Sequence, residues 1–169
     1  MLTPAWKSPA QPVRPCSDPP PRPDARGPWP GALPAACSAA VLLWLIDDTA
    51  DNHRVAERTV GKVPQVRLRG FLEADAGIAA FAAAAAGGEP LPDAVLMDYF
   101  LGETRGDRVT RRLRELEPAS ARPVIIGYSS VASGSAAILA AGGDLVLRKH
   151  ADGEGINPSL LAWLRARTT

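Results

Sequence analysis

Cysteine is almost missing from this chain of 169 residues, and lysine is scarce. The two cysteines, Cys16 and Cys37, both fall in a proline-rich leader and have neither metal-ligand nor disulfide spacing. Neither a zinc site nor a disulfide framework is therefore expected in the folded part, which fits a reducing cytoplasm. An excess of one charge is missing too: 19 basic residues face 18 acidic ones, for a formal net charge of +1. Aromatics make up only 5% of the chain and interleave with no basic stripe, so the electrostatic footprint of nucleic-acid binding is lacking. The apolar run 39–46 is eight residues and ends in two aspartates, against the roughly twenty that span a bilayer, so no membrane contact is expected. Prolines break every stretch before residue 35, which argues against a secretory signal.

What is present divides in two. Residues 1–37 hold eleven of the seventeen prolines and show neither a helical nor a strand period, which predicts a disordered or polyproline-like tail over 1–38. PxxP spacings such as Pro20 to Pro23 occur there, as so proline-rich a composition yields by chance. Residues 39–169 read as one globular domain.

Within that domain strand-like and helix-like segments alternate. Strands are expected over 41–46, 65–70, 93–97, 123–128 and 145–148, and helices over 51–60, 73–86, 106–117, 133–141 and 156–167. The stops have local causes: Gly61 and Pro64 end the first helix, Gly87 and Gly88 the second, Pro118 the third, Gly142 and Gly143 the fourth. The third helix places Val109, Leu113 and Leu116 at i, i+4 and i+7, with arginines on its other face. The first, third and fourth strands are nearly continuous apolar runs, as a sheet covered on both faces requires. Strict alternation implies right-handed crossovers. The expected fold is α/β, a (βα)5 doubly wound parallel sheet with ligands at the strand carboxyl ends.

Chemistry gathers at those ends: Asp47 and Asp48 after VLLWLI, Asp98 after AVLM, Ser129 after VIIGY and Lys149 after LVLR. Three carboxylates held close together are costly unless a cation neutralises them, and a hard ion preferring oxygen, Mg²⁺ above all, is the natural partner. With the ion present one carboxylate can attack a phosphoryl donor, while Lys149 and Ser129 reach other oxygens of the transferring group. Lysine is rare enough, Lys7, Lys62 and Lys149 against sixteen arginines, that one at this strand end stands out from generic surface charge. Each residue also has a plainer reading. Asp48, Thr49 and Asp51 precede a helix and suit its cap, Asp98 suits a turn, Ser129 suits a cap, and Lys149 suits a solvated strand end. Four coincidences at the correct strand ends weigh against those readings taken jointly.

These segments, LIDDT, LMDYFLGETRGDRV, RPVIIGYSS and AGGDLVLRK, resemble the receiver domain of two-component response regulators, the CheY-like family, over about residues 40–168. The resemblance implies a flavodoxin-like sheet of order 2-1-3-4-5, an order for which a member of that family is a standard example. It implies Asp98 as phosphoacceptor, with Mg²⁺ held by Asp47, Asp48, Asp98 and the backbone carbonyl of Phe100, and with Ser129 and Lys149 on the phosphoryl group. The implied donor is a sensor histidine kinase or a histidine phosphotransfer protein. The implied response is a shift between two conformations of the face formed by the fourth helix, fifth strand and fifth helix. No residues follow the fifth helix for an output domain, so a stand-alone, cytoplasmic receiver reading out through an unidentified protein target is expected. It would be no enzyme beyond its own phosphorylation and slow self-dephosphorylation. Oligomeric state stays open, a homodimer included.

Three features, at four positions, depart from the family pattern. His150 stands where the family has a cis proline after the lysine; a non-proline cis bond costs roughly 3 kcal/mol, so a differently arranged loop is expected. Val146 replaces the strand-five aromatic, with Tyr128 the nearby aromatic that would substitute. Phe100 and Val131, two beyond Asp98 and Ser129, are apolar where the family tunes water access, which predicts slow self-dephosphorylation. Two other classes stay in view. A degenerate receiver would serve only as a binding module. A haloacid-dehalogenase-like phosphohydrolase needs two aspartates separated by one residue, and here Asp47 and Thr49 would occupy those places, so its motif fails.

Overall fold

A computed structural model describes residues 40–168. The tail expected over 1–38, with both cysteines and the PxxP spacings, lies outside the described residues. Seven strands and five helices follow in chain order among them: β1 (Val41–Ile46), α1 (Ala50–Val60), β2 (Val66–Phe71), α2 (Ala74–Ala85), β3 (Ala94–Met97), β4 (Phe100–Leu101), β5 (Thr104–Arg105), α3 (Gly106–Leu116), β6 (Val124–Gly127), α4 (Ala132–Ala140), β7 (Leu145–Val146) and α5 (Pro158–Thr168).

Because side chains alternate across a strand, β1 sends Leu43 and Leu45 to one face of the sheet and Trp44 and Ile46 to the other. The first pair packs with Ala56 and Val60 of α1 and Leu160 and Leu164 of α5. The second packs with Phe81 of α2, Leu113 of α3 and Ile138 of α4. All four of those β1 residues are fully buried, as are Val95, Leu96 and Met97 of β3 and Ile125 and Ile126 of β6. A strand buried on both faces must be apolar throughout, which is why alternation is missing from these segments.

Five strands form one parallel sheet of order β2-β1-β3-β6-β7. In order of sheet strands this is 2-1-3-4-5, the doubly wound α/β arrangement expected. The order reverses between β1 and β3, which opens a crevice at their carboxyl ends.

Three features differ from the sequence expectation. The loop over 98–105 contains a short antiparallel ribbon, Phe100 paired with Arg105 and Leu101 with Thr104. Gly102 allows its tight turn by taking a φ of 63°. The last sheet strand is two residues, not the four expected over 145–148, so Lys149 stands three residues beyond its end. Leu147 still donates to the Gly127 carbonyl at 3.0 Å, but the Arg148 carbonyl turns away to a side chain, and the ladder stops. The last helix begins at Pro158, two residues later than expected, since Asn157 takes the capping position with proline first in the helix. Other boundaries agree within one or two residues.

Candidate functional site

The sheet register builds the site. One row of paired residues crosses all five strands: Phe71, Ile46, Met97, Gly127 and Val146. One step beyond it stand Asp47 and Asp98, so two carboxylates on adjacent strands meet because their strands end together. Asp48 follows Asp47. One ligand oxygen from each of the three lies within 4.8 Å of the others.

Their environments differ. Asp47 is 0% exposed and Asp98 6%, whereas Asp48 faces solvent. Asp47 Oδ1 accepts the backbone N–H of Thr49 at 3.0 Å and the side-chain amide of Asn52 at 2.9 Å. Its Oδ2 pairs with Lys149 Nζ at 2.6 Å. Lys149 Nζ also reaches Asp98 Oδ1 at 3.1 Å, bridging the two buried acids. Among the described residues Lys149 is the polar partner of the Asp98 carboxylate, bound through Oδ1, and the second oxygen of Asp98 has no protein partner. Asp48 Oδ2 accepts the backbone N–H of Gly102 at 3.0 Å, tying the acid pair to the ribbon. Gly106 begins α3 under similar constraint: a Cβ there would stand 2.0 Å from the Asp98 carbonyl oxygen.

Ser129 lies two residues beyond β6, on the strand next to Asp98, and is 5% exposed. Among the described residues its one hydrogen bond is long, accepted by Oγ from the Val131 N–H at 3.4 Å. Phe100 opens the ribbon with its ring 55% exposed and stacked edge-on to Tyr99. Tyr99 in turn packs on α4, where a Cβ at Gly134 would collide with its ring.

The capping and solvated-end readings are not met. Thr49 takes the N-cap position of α1 and Val131 that of α4, with no side-chain cap hydrogen bond at either. Lys149 is no solvated strand end, because its side chain is only 11% exposed. Tyr128 does not stand in for the missing strand-five aromatic. It is 1% exposed among the α1 and α5 residues, its hydroxyl accepts a hydrogen bond from Asn157 at 2.8 Å, and burial pushes its pKa up to about 12. Val146 is 44% exposed on the other side, beside Ala136 and Leu139 of α4. The Lys149–His150 peptide is trans.

Sequence reasoning missed three residues. Asn52 holds Asp47; His53 sets Nε2 2.7 Å from the Asp47 carbonyl oxygen, in room left by Gly70; Asn157 holds the lysine loop. Only the last had a signal, the Asn-Pro pair that marks a helix start.

No family model matches the chain, and no curated protein matches it in sequence. Solved structures do. The receiver domain of the histidine kinase CKI1 from Arabidopsis thaliana, complexed with Mg²⁺ and BeF₃⁻, is 18% identical with a TM-score of 0.60, covering 76% of this chain and 92% of that one. A CheY-like response regulator receiver domain from Methanospirillum hungatei is 16% identical with a TM-score of 0.59, over 75% and 92%. The response regulator domain of Thermotoga maritima CheB is 18% identical with a TM-score of 0.57, over 76% and 96%. The fold is the receiver fold. On this fold Asp47 and Asp48 follow β1, Asp98 follows β3, Ser129 lies beyond β6 and Lys149 beyond β7. Among the described residues no helix is long and apolar enough to cross a membrane.

Proposed function

We propose that this chain is a phosphoacceptor receiver of a two-component phosphorelay. The observation that carries the reading is the carboxylate trio within 4.8 Å, with one amine bridging its two buried members. Asp98 is the acceptor, because its second oxygen has no protein partner among the described residues, whereas both oxygens of Asp47 are engaged. The same contrast argues against a phosphohydrolase built on Asp47, which is buried and immobilised.

Three carboxylates, one exposed enough to leave room for waters, fit a hard divalent ion. Asp47, Asp48, Asp98 and the Phe100 carbonyl would hold Mg²⁺, which supplies shielding between the attacking carboxylate and the phosphate when bound. An oxygen of Asp98 attacks the phosphorus of a phosphohistidine on a sensor kinase or phosphotransfer protein. A P–O bond forms, the P–N bond breaks, and its electron pair stays on the imidazole nitrogen. Lys149 and Ser129 then neutralise and bond the phosphoryl oxygens of the acyl phosphate.

The new contacts bias a two-state element, and readout is by protein contact, with no substrate turned over. Incubation with acetyl phosphate and Mg²⁺ tests this by intact mass. A single phosphoryl addition that Asp98→Asn abolishes is expected. No addition from any donor would overturn the reading and favour a phosphorylation-independent binding module.

A further inference from the structure

Asn157 is 0% exposed and uses every polar atom it has. Its side-chain amide donates to the Tyr128 hydroxyl at 2.8 Å and to the Arg148 carbonyl at 2.9 Å. Its Oδ1 accepts the Leu160 N–H at 2.9 Å, closing the first turn of α5. Its own backbone N–H donates to Thr59 Oγ1 of α1 at 2.9 Å, and that hydroxyl donates in turn to the Val55 carbonyl at 2.7 Å. Tyr128 and Arg148 are the residues immediately before Ser129 and Lys149. One buried amide therefore bonds both preceding residues, the backbone carbonyl of Arg148 ahead of Lys149 and the ring hydroxyl of Tyr128 ahead of Ser129.

The lysine needs such a grip. β7 ends at Val146, so from Arg148 onward the backbone has no ladder bond, only a local one from the His150 N–H to the Arg148 carbonyl at 3.1 Å, yet Lys149 Nζ is held at 2.6 Å from Asp47 and 3.1 Å from Asp98. We propose that Asn157 is a positioning residue for Lys149, fixing the Arg148 carbonyl so that the amine is aimed between the two buried acids. Its bearing on phosphoryl transfer rests on the receiver reading above; its bearing on the lysine does not. The amide's two jobs are separable by substitution. Asn157→Asp and Asn157→Ser both keep an oxygen for the α5 cap, and both lose the two donations to Tyr128 and Arg148. Tyr128→Phe removes one acceptor and leaves the Arg148 bond.

The chain offers a direct probe, since it has only three lysines and Lys62 is an exposed internal standard. The full chain is labelled with trace acetic anhydride in metal-free buffer, and Lys149 modification is read against Lys62 by peptide mass. In the unsubstituted protein Lys149 reacts more slowly than Lys62. In Asn157→Asp and Asn157→Ser its relative rate rises about tenfold, the equivalent of one lost buried hydrogen bond, while Tyr128→Phe changes it less than twofold. If Asn157→Asp fails to fold, Asn157→Ser, which places no charge, decides by the same comparison. An unchanged ratio in a folded Asn157 variant overturns the proposal, and so does a uniform rise at both lysines, which marks general loosening. A second arm follows phosphoryl addition from acetyl phosphate: Asn157→Ser slows it about tenfold with the Mg²⁺ concentration at half-effect unchanged. If the unsubstituted protein takes no phosphoryl group, the receiver reading falls while the labelling result on Asn157 stands.

Discussion

The two sides of the site are held in different ways. On the acid side, β1 pairs with β2 over six residues and with β3 over four, and Asp47 and Asp98 follow strand ends that are buried on both faces. On the lysine side, β7 pairs with β6 over two residues, Val146 is exposed, and Lys149 sits three residues past the last ladder pair. Sheet register places the acids, whereas side-chain hydrogen bonds and the acids' own charge place the amine. A backbone position set by register follows from the ladder itself. One set by side chains depends on each bond being kept.

The sharpest test of that contrast removes the amine. Lys149→Met would leave Asp47 buried without its counter-charge and facing Asp98, a loss on the order of 4 kcal/mol by analogy with other broken buried pairs. Urea unfolding in metal-free buffer should show the deficit, and added Mg²⁺ should recover part of it by supplying a cation between the acids. Equal stability without metal would mean that the acid side does not need the lysine.

The next perturbation strikes the other side. Gly106→Ala places a Cβ 2.0 Å from the Asp98 carbonyl oxygen, a backbone atom that cannot swing away. Moving α3 off the strand end should cost about 3 kcal/mol and lower the unfolding midpoint accordingly. Phosphoryl addition should fall with it, since Asp98 shifts too. An unperturbed midpoint would show the acid side to be more pliable than its register implies.

A third test uses pH on the lysine side. The folded pKa of Tyr128, raised to about 12 by burial with the Asp47 charge adding to it, lies above the ordinary phenol value of 10. The unfolded chain therefore ionises first. The associated stability is whole below pH 10 and is lost as pH rises through 12, amounting to about 2 to 3 kcal/mol. Tyr128→Phe should be slightly less stable at neutral pH, having lost the Asn157 bond, and should lack the alkaline decline assigned to this residue. The same slope in both proteins would show that Tyr128 is not the group responsible.

The contrast also explains what the sequence made legible. The strands carrying Asp47 and Asp98 announce themselves, because burial on both faces demands continuous apolar runs and the acids interrupt them abruptly. Lys149 was legible as a residue but not as a geometry. LVLR reads as strand through Arg148, and nothing local says that the Arg148 carbonyl will turn to a side chain nine residues on. The ribbon after Asp98 was missed for a similar reason: two-residue strands leave no period, and only Gly102, at φ 63°, hints at the turn. Asn52 and His53 looked like ordinary helix surface, since their partners, the Asp47 carboxylate and carbonyl, lie off the helix.

The smallest expected effect lies at Phe100 and Val131, two residues beyond Asp98 and Ser129 and 55% and 39% exposed, which the receiver reading places at an apolar mouth beside the phosphoryl group. On that reading the two side chains would offer water no hydrogen bond along its approach to phosphorus. A phospho-protein lifetime of minutes or longer is expected, and one of seconds would sink the idea. Val131 also occupies the N-cap position of α4, with extended backbone (φ −104°, ψ 118°) and no side-chain cap. Val131→Asn therefore has two separable outcomes of opposite sign. The amide oxygen should cap α4 and raise stability by about 1 kcal/mol. The same side chain, able to bond a water near the phosphoryl group, should shorten the acyl-phosphate lifetime by about threefold. A gain in melting temperature with an unchanged lifetime would show that the apolar mouth does not control water access, and that phosphoryl stability is set deeper, at Lys149 and Ser129.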